Sequence, residues 1–315
     1  MSLPAPIIRT WYDLDWVLLN NRWWSIQNYS PTKLADDTDI PIVTDAETWA
    51  GLTTPARCVH NNSTDAEFIA KYGYLYNWYG YAAGLEMPCA GCVVPSDAEW
   101  GALRDYLVTN GYNWDHDPPE NPSTTENRIG KAMASSGGEW TINATAGNVG
   151  NDQASNNSSG FNALPGGYRT DEGSFVGAAT RAWFWSSTEV DVGNASIVFF
   201  RQDRDSVGIG PGSKKSGASI RILRTAYIVT YNSQGGSAVA PEITAEGELI
   251  TAPTAPTKAG HVFSGWYKED TFTTEWDFET DTVTEDITLY AKWEEEAKPT
   301  QRKFKFGFKL GFGIS

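Results

Sequence analysis

Apolar positions along this chain fall into short runs, and the clearest helical spacing begins at Pro95-Ser96-Asp97-Ala98-Glu99-Trp100. Ser96 can accept from the free amides of a first turn while Glu99 reaches back to it. Trp100, Leu103 and Leu107 then share one face, so a helix with one buried side is predicted, ended by Gly111. Elsewhere the pattern is one of strands and turns. Ile7 to Ile26 is rich in Trp and branched residues, with Asn20-Asn21 as the turn between two short strands. Tyr72 to Tyr81 reads as an aromatic-rich strand or short helix, and a short amphipathic piece is expected around Ile129 and Met133. Asp115 to Thr125 is a Pro- and Asn-rich loop. Asn143 to Gly160 is almost wholly Gly, Asn, Ser and Ala, the composition of an extended surface loop that buries no core.

From Phe161 to Arg224 short apolar runs alternate with turn clusters. Phe184-Trp185, Ile197 to Phe200 and Ser219 to Leu223 read as strands; Arg201 to Ser206 and Gly208 to Lys215 read as polar or Gly-rich connections. A second unit starts near Tyr227, with strands at Tyr227 to Tyr231, Gly265 to Tyr267 and Thr288 to Trp293, and a turn at Gly235-Gly236. Its acidic stretch reads as a solvated face. The end of the chain inverts that charge: after Glu296 there is no acid, and Lys303 to Ile314 alternates with period two. The expected architecture is therefore α+β: a large domain over residues 1-225 with much irregular structure, a small β domain over 226-296, and a C-terminal β-strand tail over 297-315.

Composition narrows the function. A formal charge of −15 excludes the basic footprint of a nucleic-acid binder, and no apolar run is long enough to insert in a membrane. The N-terminus lacks an apolar leader, so either a signal was removed or the protein leaves its cell by lysis. Cys58, Cys89 and Cys92 are too few for a disulfide framework; Cys89-x-x-Cys92 reads as small loop residues or one local bridge. No nucleophile elbow, zinc helix, P-loop or dinucleotide fingerprint occurs, so neither catalysis nor a cofactor is expected.

Landmarks of the large domain occur in a fixed order: Arg22-Trp23-Trp24-Ser25-Ile26-Gln27-Asn28, Pro41-Ile42-Val43-Thr44-Asp45, Val94-Pro95-Ser96-Asp97-Ala98-Glu99-Trp100, Gly160 to Arg169, Phe184 to Glu189 and Ser219-Ile220-Arg221. Together they resemble the Fibrobacter succinogenes major paralogous domain over roughly residues 10 to 225. The resemblance implies a C-type lectin-like fold with a loop-built ligand face. It also implies kinship with the variable proteins of diversity-generating retroelements, whose binding face is mutated at scattered codons. Enzymes of that fold use a cysteine pair late in the domain, and no cysteine follows Cys92. Val229 to Asn232, Pro253 to Tyr267 and Ile287 to Trp293 resemble the Listeria-Bacteroides repeat, which implies a β-grasp-like spacer.

In the segment Gly166 to Arg224, residues that look structural (Trp185, Ser186, Ser187, Phe200, Lys215, Gly217, Arg221) interleave with a chemically arbitrary set. That set is the expected ligand-binding surface: Arg181, Trp183, Asp191, Asn194, Ser196, Val198, Arg201, Asp203, Arg204, Ser206, Ile209, Pro211 and Ser213. The expected function is non-enzymatic recognition of a bacterial surface protein or glycan, by a phage tail or virion-surface protein, with a secreted adhesin or calcium-dependent lectin as the alternative. For calcium, Asn151, Asp152, Asn156 and Asn157 would supply oxygens. The tail is expected to dock as a strand on a virion or self-assembly partner, a homo-oligomer among them. Deleting residues 299–315 is then expected to change the assembly state seen by sedimentation; an unchanged state refutes the docking strand.

Overall fold

The structure, a computed structural model, describes residues 3–115 and 127–297 and is an α+β chain in which strands outnumber helices. The tail expected to dock and most of the Asp115–Thr125 loop lie outside the described residues. Two compact units divide the chain. One holds the residues up to Tyr227 together with Ala245–Glu248; the other holds Ile228–Thr244 and the residues from Leu249 onward.

The large unit opens with an antiparallel meander of β1 (Ile8–Trp11), β2 (Leu14–Leu19) and β3 (Arg22–Ser25). Asn20 and Asn21 turn β2 into β3 at φ of 51° and 53°, the left-handed pair that a two-residue hairpin requires. The earlier hairpin, through Tyr12 and Asp13 at φ of 54° and 57°, has a tyrosine where turn chemistry favours Asn or Gly, which is why the sequence suggests two strands and the structure has three. Next come α1 (Ala46–Gly51), β4 (Arg57–Cys58), α2 (Ala66–Tyr72), β5 (Leu75–Tyr76) and α3 (Trp78–Ala82). The aromatic run 72–81 is thus split, because the Asn77 side chain accepts from the Gly80 amide and starts a new helix.

The predicted helix is α4 (Asp97–Thr109). Its capping box is formed: the Ser96 amide donates to Glu99 Oε2 at 2.7 Å and the Glu99 amide to Ser96 Oγ at 3.4 Å. Trp100, Leu103 and Leu107 are buried as expected. The next helix, α5 (Gly130–Met133), is buried on every side, Lys131 included, rather than amphipathic. The segment after it also departs from expectation. Val149 and Ser159 are fully buried and the Asn156 amide donates to the carbonyls of Ser135 and Val149. Side chains that read as loop composition here replace a hydrogen-bonding ladder and let irregular backbone enter the core.

Strands β6 (Gly166–Arg169), β7 (Phe175–Ala178), β8 (Arg181–Glu189), β9 (Asn194–Arg201) and β10 (Gly208–Ser213) form a sheet in the order β10-β9-β8-β6-β7. β10 was expected as a connection. Its glycines leave space that neighbours fill: a Cβ on Gly208 would stand 2.2 Å from the Phe199 ring, and one on Gly212 2.1 Å from Ile197 Cδ1. β11 (Leu223–Asn232) pairs with β3 through Leu223, Arg224 and Thr225. Beneath the five-stranded sheet, Trp24, Trp100, Phe161, Phe184 and Phe200 pack with ring centroids 4.8–6.4 Å apart.

Three arginines are buried in this unit, and backbone carbonyls accept from all of them. Arg221 donates to the carbonyls of Ser25, Phe161 and Asn162 and to Asn28 Oδ1, at 2.5–3.1 Å, with its guanidinium over the rings of Phe161 and Phe184. Arg169 donates to the carbonyls of Val43, Thr44, Asp45 and Gly173. Arg224 donates to the Glu246 carbonyl and also meets Glu248 at 2.7 Å. Cys89 and Cys92 form one local disulfide. Cys58 is a buried thiol whose pKa burial pushes up to about 12, so it is unreactive at neutral pH.

The small unit comprises the end of β11 and β12 (Glu242–Ala245), β13 (His261–Tyr267) and β14 (Ile287–Glu295). Val229–Asn232 run parallel to β14, which pairs antiparallel with β13 around a core of Tyr231, Trp266 and Leu289.

Replacing Arg221 by Ala leaves four oxygen acceptors unsatisfied inside the core. Urea unfolding is expected to show a loss of at least about 3 kcal/mol; a loss below about 1 kcal/mol contradicts this role.

Candidate functional site

β8 and β9 alternate between two faces, and the alternation sorts the residues expected to bind ligand. Ala182, Phe184, Ser196, Val198 and Phe200 share the side turned to the core, where Ser196 is 1% and Val198 0% exposed. These two therefore cannot display themselves. Every position from Ala195 to Val198 is small or apolar, so period two gave no parity to read. Ile209, in register with Val198, also packs against the core.

The other face carries a continuous cluster at one end of the sheet. Arg181 lies opposite Arg201, and Trp183 opposite Phe199. Tyr168, one residue past the Gly167–Ala182 pairing of β6 with β8, stacks on Trp183 with centroids 3.6 Å apart and planes 7° from parallel. The Arg181 guanidinium lies 5.9 Å from the Tyr168 ring. Phe199, Arg201, Arg204, Ser206 and Gly208 line a cleft of about 310 Å³. Farther along the same face, Trp185 and Ile197 are buried, and the Trp185 indole donates to the Tyr76 carbonyl at 2.7 Å. The exposed part is therefore anchored to a fixed one.

Asp191, Asn194, Pro211 and Ser213 belong elsewhere. Asp191 accepts from the Gly193 and Asn194 amides and from the Asn194 side chain, forming the β8–β9 turn. That bond from Asn194 holds its carboxyl below the usual range. Ser213 is in register with Asn194, and Pro211 is exposed on the same part of β10. Arg181 and Glu189 close opposite ends of β8, on the order of 25 Å apart at about 3.3 Å per residue. The structure thus brings together Arg181, Trp183, Arg201, Asp203, Arg204 and Ser206, and separates off the turn residues. It adds Tyr168 and Phe199, which the sequence reading missed. Glycine at alternate positions 208, 210 and 212 of β10 was the available signal, since a strand without side chains on one face leaves room for a neighbour's ring.

The cluster is cationic on an acidic protein. Arg201 meets Asp203 through two parallel bonds of 2.9 and 2.8 Å, which lower the Asp203 pKa and raise that of Arg201. The guanidinium groups of Arg181 and Arg204, the Trp183 indole N–H and the Tyr168 hydroxyl make no hydrogen bond among the described residues. Beside the cluster, Gln202 accepts from Asn143, and Ile142 stands 86% exposed.

The loop considered for calcium commits part of its polar groups internally. Lys131 Nζ donates to the carbonyls of Asn151 and Asp152, the Asn157 side chain exchanges bonds with Asn162, and the Asn156 side-chain nitrogen is spent on Ser135 and Val149, while Asn156 Oδ1 is buried without a partner among the described residues. A lysine ammonium thus holds the carbonyls that a cation would need. Among the described residues no group of three or more His, Cys, Asp or Glu side chains is placed to hold a metal ion. A second cleft, of about 500 Å³, lies in the small unit, where Lys268 is paired with Asp281 above a buried Trp276.

Two family models match the chain: the Fibrobacter succinogenes major domain over residues 17–224 and the Listeria-Bacteroides repeat domain over residues 227–292. The first covers well over half of the chain, which therefore belongs to the Fibrobacter succinogenes major domain family, followed by one Listeria-Bacteroides repeat. Among curated relatives, a protein of Evansella cellulosilytica named as a Gly-rich membrane protein is 55% identical over 69 residues, 22% of this chain and 8% of that protein. Internalin H of Listeria monocytogenes is 43% identical over 79 residues, 25% of this chain and 14% of its own length. The chain thus spans only a small part of these relatives.

His60 lies beneath this sheet, its ring 5.2 Å from that of Phe175 and against Gly167, next to Tyr168. Burial lowers its pKa against a weaker opposing bond to the Val176 carbonyl. The unfolded state therefore binds the proton more readily, so stability is full above the unfolded value near 6.5 and falls as pH drops below it. The melting temperature is expected to fall between pH 7 and 5.5 in the wild type, and less in His60→Gln; parallel profiles contradict this.

Proposed function

We propose that this chain is a non-enzymatic ligand-binding protein whose recognition surface is the outward face of β6, β8 and β9. The observation that carries this reading is the concentration of unpaired hydrogen-bond donors and half-exposed aromatic rings on a sheet whose other side is a packed aromatic core. A fixed scaffold beneath a chemically mixed face separates stability from specificity. The large unit is read as C-type lectin-like, supported by the single long helix among its described residues, its irregular segments and the pairing of its first strands with its last. The small unit is read as a β-grasp-like spacer.

The protein is proposed to work on a bacterial cell surface or a virion. The relatives named as membrane proteins favour the cell surface, and no described helix is long and apolar enough to cross a membrane. Binding to bacterial cells and a glycan array is expected from the intact chain and is expected to drop at least about tenfold in an Arg181→Ala, Trp183→Ala, Arg204→Ala variant with an unchanged melting temperature. Undiminished binding by that variant refutes this surface.

A further inference from the structure

The chemistry of this face selects its ligand. Tyr168 and Trp183 belong to neighbouring strands and stack almost parallel at 3.6 Å. Their planes therefore stand upright on the sheet, and they present ring edges outward. A ring edge is the electropositive part of an aromatic quadrupole. Phe199 behaves differently: its ring lies over Gly208, where a Cβ would come within 2.2–2.7 Å of three ring carbons, so it forms a flat apolar floor in the cleft. Arg201, Arg204 and Ser206 stand around that floor, and Arg181 stands opposite Arg201. Asp203 is held by Arg201 through both oxygens and makes no hydrogen bond to Arg204, whose charge it also feels.

From this arrangement we infer that the face binds an acidic glycan, with one carboxylated pyranose ring resting on Phe199 and its carboxylate bound by Arg204. The inference rests on the ligand-binding reading above. The planar guanidinium fork matches a carboxylate, and the apolar side of a sugar ring matches an aromatic floor. The cleft volume suits a single sugar ring rather than a folded surface. An extended acidic peptide fits less well, because peptides gain affinity by adding a strand to a sheet edge. At the β10 edge, Pro211 removes a donor from the row such a strand would need. On a chain of net charge −15, attraction for an anion depends on a local cationic patch such as this one.

The test is titration calorimetry of the intact chain with octagalacturonate, oligosialic acid, fully methyl-esterified octagalacturonate and an oligoglutamate of matched charge. At least one carboxylated oligosaccharide is expected to bind about tenfold more tightly than the ester and the oligoglutamate, and to weaken as salt rises. Arg204→Ala and Phe199→Ala are each expected to weaken it about fivefold or more with the fold retained, while Lys33→Ala, outside the face, leaves it unchanged. Equal binding of the oligoglutamate, equal binding of the ester, indifference to both face variants, or no binding of either carboxylated sugar overturns the ligand class. In those cases, surface binding that is still lost in the Arg181, Trp183, Arg204 variant keeps the functional reading. Surface binding indifferent to that variant overturns both.

Discussion

The large unit depends on a buried positive charge that has no carboxylate beside it. Arg221 is fully buried, and its guanidinium is satisfied by three backbone carbonyls and one amide oxygen while lying over two core rings. Burial pulls its pKa down to about 9, which still leaves it charged at neutral pH. The acceptors come from Ser25 and Asn28 at and just past the end of β3 and from Phe161 and Asn162, two segments far apart in sequence. An apolar residue of the same size would leave their oxygens without donors, each costing about 1–3 kcal/mol. Arg169 does the same for Val43 to Asp45. Fixed donors from a few buried side chains thus replace the regular hydrogen bonding that much of this unit lacks.

That stapling makes the outward face useful. Trp185 and Ile197 are held under cover, and the strands that carry them run on to Trp183, Arg181, Phe199 and Arg201 at the open end. The exposed residues inherit the position of the buried ones without taking part in the core. Glycines on β10 complete the arrangement by giving Phe199 and Ile197 a floor to lie on. Chemistry on the face can then change while Phe184, Val198 and Phe200 keep the sheet in place.

Much of this was legible in the sequence where local chemistry decides the outcome. The α4 capping box, the Asn20-Asn21 turn and the strands of the small unit follow from residue type and spacing. Less legible was which side each residue of β9 takes, because Ala195 to Phe200 offers small or apolar side chains to both faces. Ser196 is expected on the surface and is buried; Phe199, to which the sequence pattern assigns no role, lines the cleft. Polarity in the segment 143–160 also misled at Asn156 and Ser159, whose side chains bond the backbone instead of facing water. In that segment the buried polar groups satisfy the main chain, and sequence pattern alone does not distinguish them from solvated ones.

The central claim, that a stapled core and an independent display face share the same strands, is tested most directly by a saturation scan of residues 166–224 read out by folding stability alone. The account predicts that Arg181, Trp183, Phe199, Arg201 and Arg204 accept most substitutions, while Arg169, Phe184, Val198, Phe200 and Arg221 accept almost none. A scan in which the five face positions are as intolerant as the five buried ones would contradict it.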